Sequence, residues 1–394
     1  MTVPGALSLD PLRRAWRRGT VEVLPRFDLR WLPASATQLP GWLQDDRWVP
    51  PGNRAVYAYA RSGLRAALAE LGLGPGDTAL LPAFISSSAV WPFHDLGIDV
   101  SYYPVTRSLS LRSGLADRIE RLEPEVVLFV HYLGFPDQEF GRLAAAARDV
   151  GATVVEDCAR GLFSRDDQGR LLGTTGDISL FSLRKVLPAP HGGLVVASEA
   201  HVPQPATSIP ERSYLVSALG RPIASLLPER PPSTTPSITE IDRNGDGLSA
   251  PSGPPDAAPG RLSRLGLSRS EPTDIARARR DRYSRVRDRL RDVPELELLT
   301  PAVHDGGCPY GVAVRLPGGP DLRDRLFHRL RRLGFPAERF RWRMAYGEPS
   351  LEEFPGAVEL HDTMLVVPTH QALPWRIVDA TADALVDELR DGDS

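Results

Sequence analysis

Between residues 54 and 200 the chain alternates short apolar runs with stretches of helical period, and few architectures accept that pattern. Apolar runs at 79–84, 99–104, 126–131, 151–157 and 194–197 are strand-length. Between them, 64–71, 115–122 and 140–150 place apolar residues three and four apart, as a half-buried helix requires. Strand–helix alternation folds into a parallel or mostly parallel sheet with helices on its faces. The expected class is therefore α/β. In such sheets ligands gather outside the carboxyl ends of the strands, so a polar residue ending an apolar run deserves scrutiny. The run Gly151-Ala152-Thr153-Val154-Val155 ends in Glu156-Asp157.

Twenty-eight residues beyond Asp157 stands Lys185, the only lysine of 394 residues; the other 46 of 47 Lys+Arg residues are arginine. Guanidinium is always protonated, whereas a buried ammonium gives up its proton. A neutral amine is a nucleophile that forms imines with carbonyl compounds and with pyridoxal phosphate. Pyridoxal phosphate also needs an acid at its pyridine nitrogen. Asp157 suits that part, and one strand–turn–strand excursion returns the chain to the same sheet edge. Two readings stand side by side: a reactive amine with its acid, or a chance surviving lysine near a cap or salt-bridge aspartate.

Glu156-Asp157-Cys158-Ala159, Gly176-Asp177, Phe181-Ser182, Lys185 and Gly192-Gly193 resemble the signature of the DegT/StrS sugar aminotransferase family. Supporting pieces are Ser62-Gly63, the turn Leu71 to Asp77, Leu81-Pro82-Ala83-Phe84, Val130 to Gly134, and Val367-Pro368-Thr369-His370-Gln371. The similarity spans about residues 54–200 well and 268–390 loosely. It implies the type I fold of pyridoxal-phosphate transferases: a large domain with a mostly parallel sheet and a small C-terminal α+β domain. It implies Lys185 as the cofactor-bearing amine and proton carrier, with Asp157 at the pyridine nitrogen. Ser182, Ser62 and Arg61 are the candidates for the cofactor phosphate. Ser62 reads as the N-cap of a helix whose start suits an anion. Phe84 and His131 are the candidates to stack on the ring, with core packing an equal reading for Phe84. Arg160 stands near the phenolic oxygen, where the family often has Gln. Ser182 precedes the lysine by three residues instead of the usual five.

The implied activity moves an amino group from an amino acid, glutamate by family expectation, to a keto sugar or related keto acceptor in biosynthesis. The implied assembly is a homodimer with the site at its interface. Alternatives on the same scaffold are other pyridoxal-phosphate chemistry (dehydration, decarboxylation, carbon–carbon bond reactions) or a non-catalytic regulator.

The remaining chain divides by composition. Residues 1–50 are interrupted by Pro and Gly, and Trp31, Trp42 and Trp48 suit an arm anchored on the body. Residues 51–202 form the expected cofactor-binding domain. Residues 203–262 are rich in Pro, Ser, Thr and Gly and read as a loop or insert. The Asn-containing segment that the family sends to a partner's cofactor is not found there. Asp242 to Gly247 match the start of a calcium loop, but Gly253 stands where its glutamate belongs and Pro251 distorts it, so no metal site is expected. Residues 263–394 form the expected small domain. They begin with an arginine-rich helix over 271–292, whose arginine face reads as solvated. Arg339, Arg341 and Arg343 around Trp342 read as surface salt-bridging residues, with contact to a phosphorylated or carboxylate substrate the second reading.

A net charge of −3 gives no electrostatic case for nucleic acid or an anionic membrane. No apolar run reaches membrane-spanning length. Met1 to Thr20 lacks the apolar core of a secretory signal, and two cysteines make no disulfide framework. A cytoplasmic location is the expectation.

Overall fold

The inner strands of the main sheet are built from runs buried on both sides, and their order sets where the functional groups meet. The computed structural model describes residues 23–25, 27–31, 38–112, 114–211, 255–340 and 353–391. A seven-stranded sheet comprises β1 (Asn53–Tyr57), β2 (Thr78–Pro82), β3 (Asp99–Tyr103), β4 (Val126–Val130), β5 (Thr153–Asp157), β6 (Ile178–Ser182) and β7 (Gly193–Ala197), in the order β1-β7-β6-β5-β4-β2-β3. Strands β3, β2, β4, β5 and β6 pair in parallel, and β7 pairs antiparallel with both β6 and β1. The helices between them are α1 (Ala60–Glu70), α2 (Ser87–Leu96), α3 (Leu115–Leu122) and α4 (Phe140–Asp149).

The two faces of the sheet carry different cores. Along β7, Val195 and Ala197 join the large core formed with α1 to α4, while Leu194 and Val196 face a second cluster. That cluster holds Phe163 and Leu43, and Trp42 and Trp48 meet the Phe163 ring edge-on at 5.3 and 5.9 Å. Period-two alternation is what a strand covered on both faces must show. Each fully buried Leu, Val or Phe contributes about 1.5–3 kcal/mol, so a register slip in these strands carries a large penalty.

Beyond the sheet lie α6 (Arg261–Ser268) and α7 (Pro272–Leu290). A three-stranded antiparallel sheet follows, of β10 (Glu297–Leu298), β11 (Gly311–Arg315) and β12 (Met364–Pro368), with α8 (Gly319–Leu333), α9 (Pro355–Thr363) and α10 (Trp375–Asp391). One face of this sheet (Val312, Val314, Leu365, Val367) forms a separate core with α7, α8 and α10. The other face (Ala313, Met364, Val366) packs into the large core. The C-terminal elements are thus seated on the main body, which brings their polar residues over its strand ends. Thr207–Ser208 (β8) and Ala257–Ala258 (β9) pair in parallel at the two ends of the expected insert. The calcium-like segment 242–253 and Arg341, Trp342 and Arg343 lie outside the described residues. No helix among the described residues is long and apolar enough to cross a membrane.

The arginine-rich helix α7 departs from the expectation of a solvated face. Arg279 is 0% exposed, the largest fully buried side chain among the described residues. Arg339 pairs with Asp324 as expected, but its side chain is 6% exposed instead of standing on the surface.

Candidate active site

The carboxyl ends of β4, β5 and β6 open into one cleft. Its lining includes Val130, His131 and Tyr132 at the end of β4, Asp157, Ala159 and Arg160 at the end of β5, and Ser182, Arg184 and Lys185 at the end of β6. The start of α1 supplies Tyr59, Ala60 and Arg61, and the loop before α2 supplies Ile85, Ser86 and Ser88. Lys185 and Asp157 therefore meet in one pocket.

Lys185 sits on a single helical turn, α5 (Leu183–Val186), whose Leu183 and Val186 are buried anchors. Leu187 is extended and leads into Pro188, and a residue before proline resists helical geometry, so the turn ends there. Arg184 and Lys185 are left half-buried toward the cleft. Withdrawal from water, then the nearby Arg160 and Arg184 guanidinium groups, push the Lys185 amine down to about 7. Asp157 and Glu338 act in the opposite direction and do not offset this.

Asp157 is 7% exposed, and its Oδ1 accepts the Ala159 N–H at 2.8 Å. Burial raises its carboxyl pKa, against the pull of Lys185, the Ala159 N–H, Arg160 and His131. Enclosure thus favours the uncharged form of both groups.

Glu156, one residue earlier, points to the other side of the strand. Its oxygens accept the backbone N–H groups of Gly173 and Thr175, each at 2.7 Å, and of Gly176. His131 Nε2 bonds its Oε2 at 3.0 Å. Burial opposes its charge, yet His131 and the Gly176 and Gly173 amides hold its pKa below the usual value. Breaking such a buried charged network costs about 3–5 kcal/mol, so Glu156 is a structural acid that braces the loop between β5 and β6.

The depressed Lys185 pKa has a consequence for folding. An unfolded lysine titrates near ~10.4, the folded one at about 7. Between those values the unfolded chain holds a proton that the folded chain lacks, so stability rises with pH across that window. Below it the destabilisation is fully present. Lys185→Met is expected to raise the urea midpoint of the cofactor-free protein clearly at pH 6 and much less at pH 9.5. An equal gain at both pH values contradicts the depressed amine.

Other expected residues divide. Ser182 is 7% exposed and lines the cleft, where it pairs with Gly193 across β6 and β7. A Cβ at Gly193 would overlap the backbone of Tyr59 and Ala60. Glycine there lets the start of α1 close onto the strand, which sets Arg61 beside Ser182's end of the sheet. Arg61 lies over the Tyr59 ring at 4.9 Å. The helix starts at Ala60 with Tyr59 as N-cap, so Ser62 does not cap it. Ser62 is 1% exposed and is not among the lining residues, a correction to its expected place at the phosphate.

For Phe84 the structure selects core packing over ring stacking. It is fully buried against Tyr132, whose hydroxyl donates to the Phe84 carbonyl at 2.6 Å, and it does not line the cleft. His131 lines the cleft, but its ring is committed to Glu156 and lies edge-on to Phe140 at 4.8 Å. Arg160 reaches across the cleft. It bonds Glu338 at 3.3 Å and lies over the Phe340 ring at 4.1 Å and the Tyr310 ring at 4.9 Å. The Tyr310 hydroxyl donates to Glu338 at 2.6 Å. Sequence reasoning missed Tyr59, Tyr132, Arg184 and Glu338. Arg184 adjoins the lysine and was accessible from the sequence; Glu338, 178 residues from Arg160, carried no local signal.

Residues 55–212 match the DegT/DnrJ/EryC1/StrS aminotransferase family. The UDP-N-acetyl-3-dehydro-α-D-glucosamine 3-aminotransferase of Acidithiobacillus ferrooxidans is 28% identical over 155 residues, 37% of this chain and 40% of that protein. The 3-amino-5-hydroxybenzoate synthase of Amycolatopsis mediterranei is 29% identical over 164 residues, 40% of each. The chain thus spans about two fifths of the length of these curated relatives. Among solved structures, the aminotransferase TlmJ of Streptoalloteichus hindustanus superposes with a TM-score of 0.66 at 21% identity, over 100% of this chain and 98% of that one. The putative sugar aminotransferase Spr1654 of Streptococcus pneumoniae, in its PLP form, gives 0.68 at 13% identity, over 95% and 99%. Residues 55–212 thus match the DegT/DnrJ/EryC1/StrS aminotransferase family, and the fold of the chain is the type I fold of the solved aminotransferases on which it superposes.

Proposed function

We propose that the chain is a pyridoxal-phosphate-dependent aminotransferase that moves an amino group from an amino acid, glutamate first among candidates, to a keto sugar or related keto acceptor. One observation carries this reading: the chain's only lysine, with its amine pushed down to about 7, shares a cleft with the buried Asp157.

The donor set fits the cofactor. Lys185 offers an amine, Asp157 a carboxylate for the pyridine nitrogen, and Ser182, Arg61 and the start of α1 offer donors to a phosphate. Pyridoxal phosphate, when bound, supplies the electron sink for charge developing at the substrate Cα. The protein's part is proton management and position. Lys185 Nζ takes the proton from the substrate Cα and later returns one, work for which a pKa near the operating pH is suited. Asp157 holds positive charge at the ring nitrogen. Arg160, over Phe340 and Tyr310, closes one side of the cleft against water.

We read residues 51–202 as the cofactor-binding domain and 263–394 as the small domain, since the C-terminal sheet has a core of its own on one face. A homodimer and a cytoplasmic location belong to the same reading. The two cysteines, Cys158 and Cys308, are both free and buried, which suits a reducing compartment. The nucleotide-sugar name of the Acidithiobacillus ferrooxidans relative supports the acceptor class.

The purified chain with added pyridoxal phosphate is expected to gain the visible absorption of a lysine-linked cofactor. Glutamate should bleach it, and a nucleotide-linked keto sugar should restore it. A chain that stays colourless sinks the reading; bleaching by decarboxylation or dehydration products, without return on adding a keto compound, replaces transfer with another reaction.

A further inference from the structure

The turn that carries Lys185 cannot hold itself. A helix leaves its last carbonyls without intrahelical partners, and a four-residue helix consists almost wholly of such ends. The Leu183 carbonyl accepts the Leu187 N–H at 2.7 Å. The Lys185 and Val186 carbonyls are met from the C-terminal part of the chain. One terminal Arg279 nitrogen donates to the Lys185 carbonyl at 3.3 Å and to the Val186 carbonyl at 3.1 Å. Gln371 Nε2 donates to the same Val186 carbonyl at 2.8 Å. Arg279 Nε donates in turn to Gln371 Oε1 at 3.0 Å, and its other terminal nitrogen to the Pro309 carbonyl at 3.4 Å.

This arrangement is costly. Arg279 is 0% exposed, and its partners among the described residues are carbonyl and amide oxygens, with no carboxylate. Burying a guanidinium without a counter-charge is expensive unless its hydrogen bonds are satisfied. A cation also suits the carbonyl end of a helix. The two residues lie on α7 and just past β12, 92 residues apart, and converge on the two carbonyls nearest the lysine.

We propose that Arg279 and Gln371 are positioning residues for Lys185: from the C-terminal elements they clamp the carbonyls of its helical turn and so fix where its amine stands and how fully the cleft encloses it. The proposal rests on the reading of Lys185 as the reacting amine, but its test does not. The groups acting on that amine are Asp157 at the end of β5, Arg160 after it, Arg184 on the same turn and Glu338 from the C-terminal side. If the turn loosens, the amine moves toward water and away from the Arg160 guanidinium, which relieves the two largest causes of its low pKa, and that pKa climbs toward that of a free lysine.

Because Lys185 is the only lysine, an amine-selective reagent reads its side chain alone once the N-terminal peptide is set aside. Labelling of the cofactor-free chain is followed against pH by mass spectrometry of the Lys185 peptide. Wild type should label with a midpoint at about 7. In Arg279→Met and in Gln371→Leu, checked for folding by circular dichroism, the midpoint should rise by about one unit or more, which leaves an about five-fold smaller neutral fraction at pH 7. Gln371→Leu leaves Arg279 in place and decides the matter if Arg279→Met does not fold. A folded variant that keeps the wild-type midpoint overturns the clamp, as does a wild-type midpoint near that of free lysine. Raised midpoints in a chain that never binds pyridoxal phosphate would defeat the functional reading and leave the clamp standing.

Discussion

Lys185→Arg is expected to abolish amino transfer as completely as Lys185→Ala, with loss of at least about 10³-fold, within the about 10²–10⁴-fold that a positioned acid–base group contributes. Arginine keeps the positive charge and most of the length of the side chain. What it cannot do is lose its proton, and the cleft is built for a group that does. Arg160 and Arg184 already stand close enough to push the amine down. A third permanent guanidinium among them would face the same repulsion without the release that deprotonation offers lysine. Steady-state transfer from glutamate checks the rate. Adding a small primary amine separates the causes: it should restore part of the activity of Lys185→Ala, which leaves space, and none of Lys185→Arg, which fills it. An arginine variant with a substantial fraction of wild-type turnover would show that the amine's proton chemistry is not used.

That same residue shows why part of the site was legible in the sequence. Lysine stood out because every other cation in the chain is arginine, and the run ending in Glu156-Asp157 placed an acid where an α/β sheet presents its ligands. Strand–helix alternation sufficed for the sheet because its inner strands are buried on both faces, as in β7. Arg279 was hidden by the same composition: among 46 arginines no residue type marks one that is buried, and only the packing of α7 against the Lys185 turn sets Arg279 apart. The helix start was misplaced for a different reason. Ser62 has the better capping chemistry, but the close approach at Gly193 settles where α1 begins, and that contact joins residues far apart in the chain. Phe84 is a candidate for ring stacking by resemblance, with core packing beside it, and the packing of Tyr132 against it decides for the core. Local chemistry was readable; long-range packing was not.

The neighbouring acids on β5 allow the second large effect to be isolated. Asp157→Asn should retain the Ala159 N–H bond, since an amide oxygen accepts as a carboxylate does, and should fold with nearly wild-type stability. It removes only the negative charge. A cation at the cofactor's ring nitrogen would lose its counter-charge in an enclosed site, and removal of one preorganised electrostatic partner costs about 10²–10³-fold in turnover. The charge also acts on Lys185, whose pKa Asp157 raises. Without it the amine should titrate lower still, so the acid limb of the pH–rate profile should move to lower pH as the maximum falls. Glu156→Gln supplies the contrast. Its carboxylate faces His131 and the Gly173, Thr175 and Gly176 amides instead of the cleft, so it should lower the melting temperature and leave the acid limb where it was. The two variants differ by one position in sequence and by the face of one strand. Should Asp157→Asn turn over at the wild-type rate, or should both variants shift the profile alike, the assignment of the cleft-facing acid to the ring nitrogen fails.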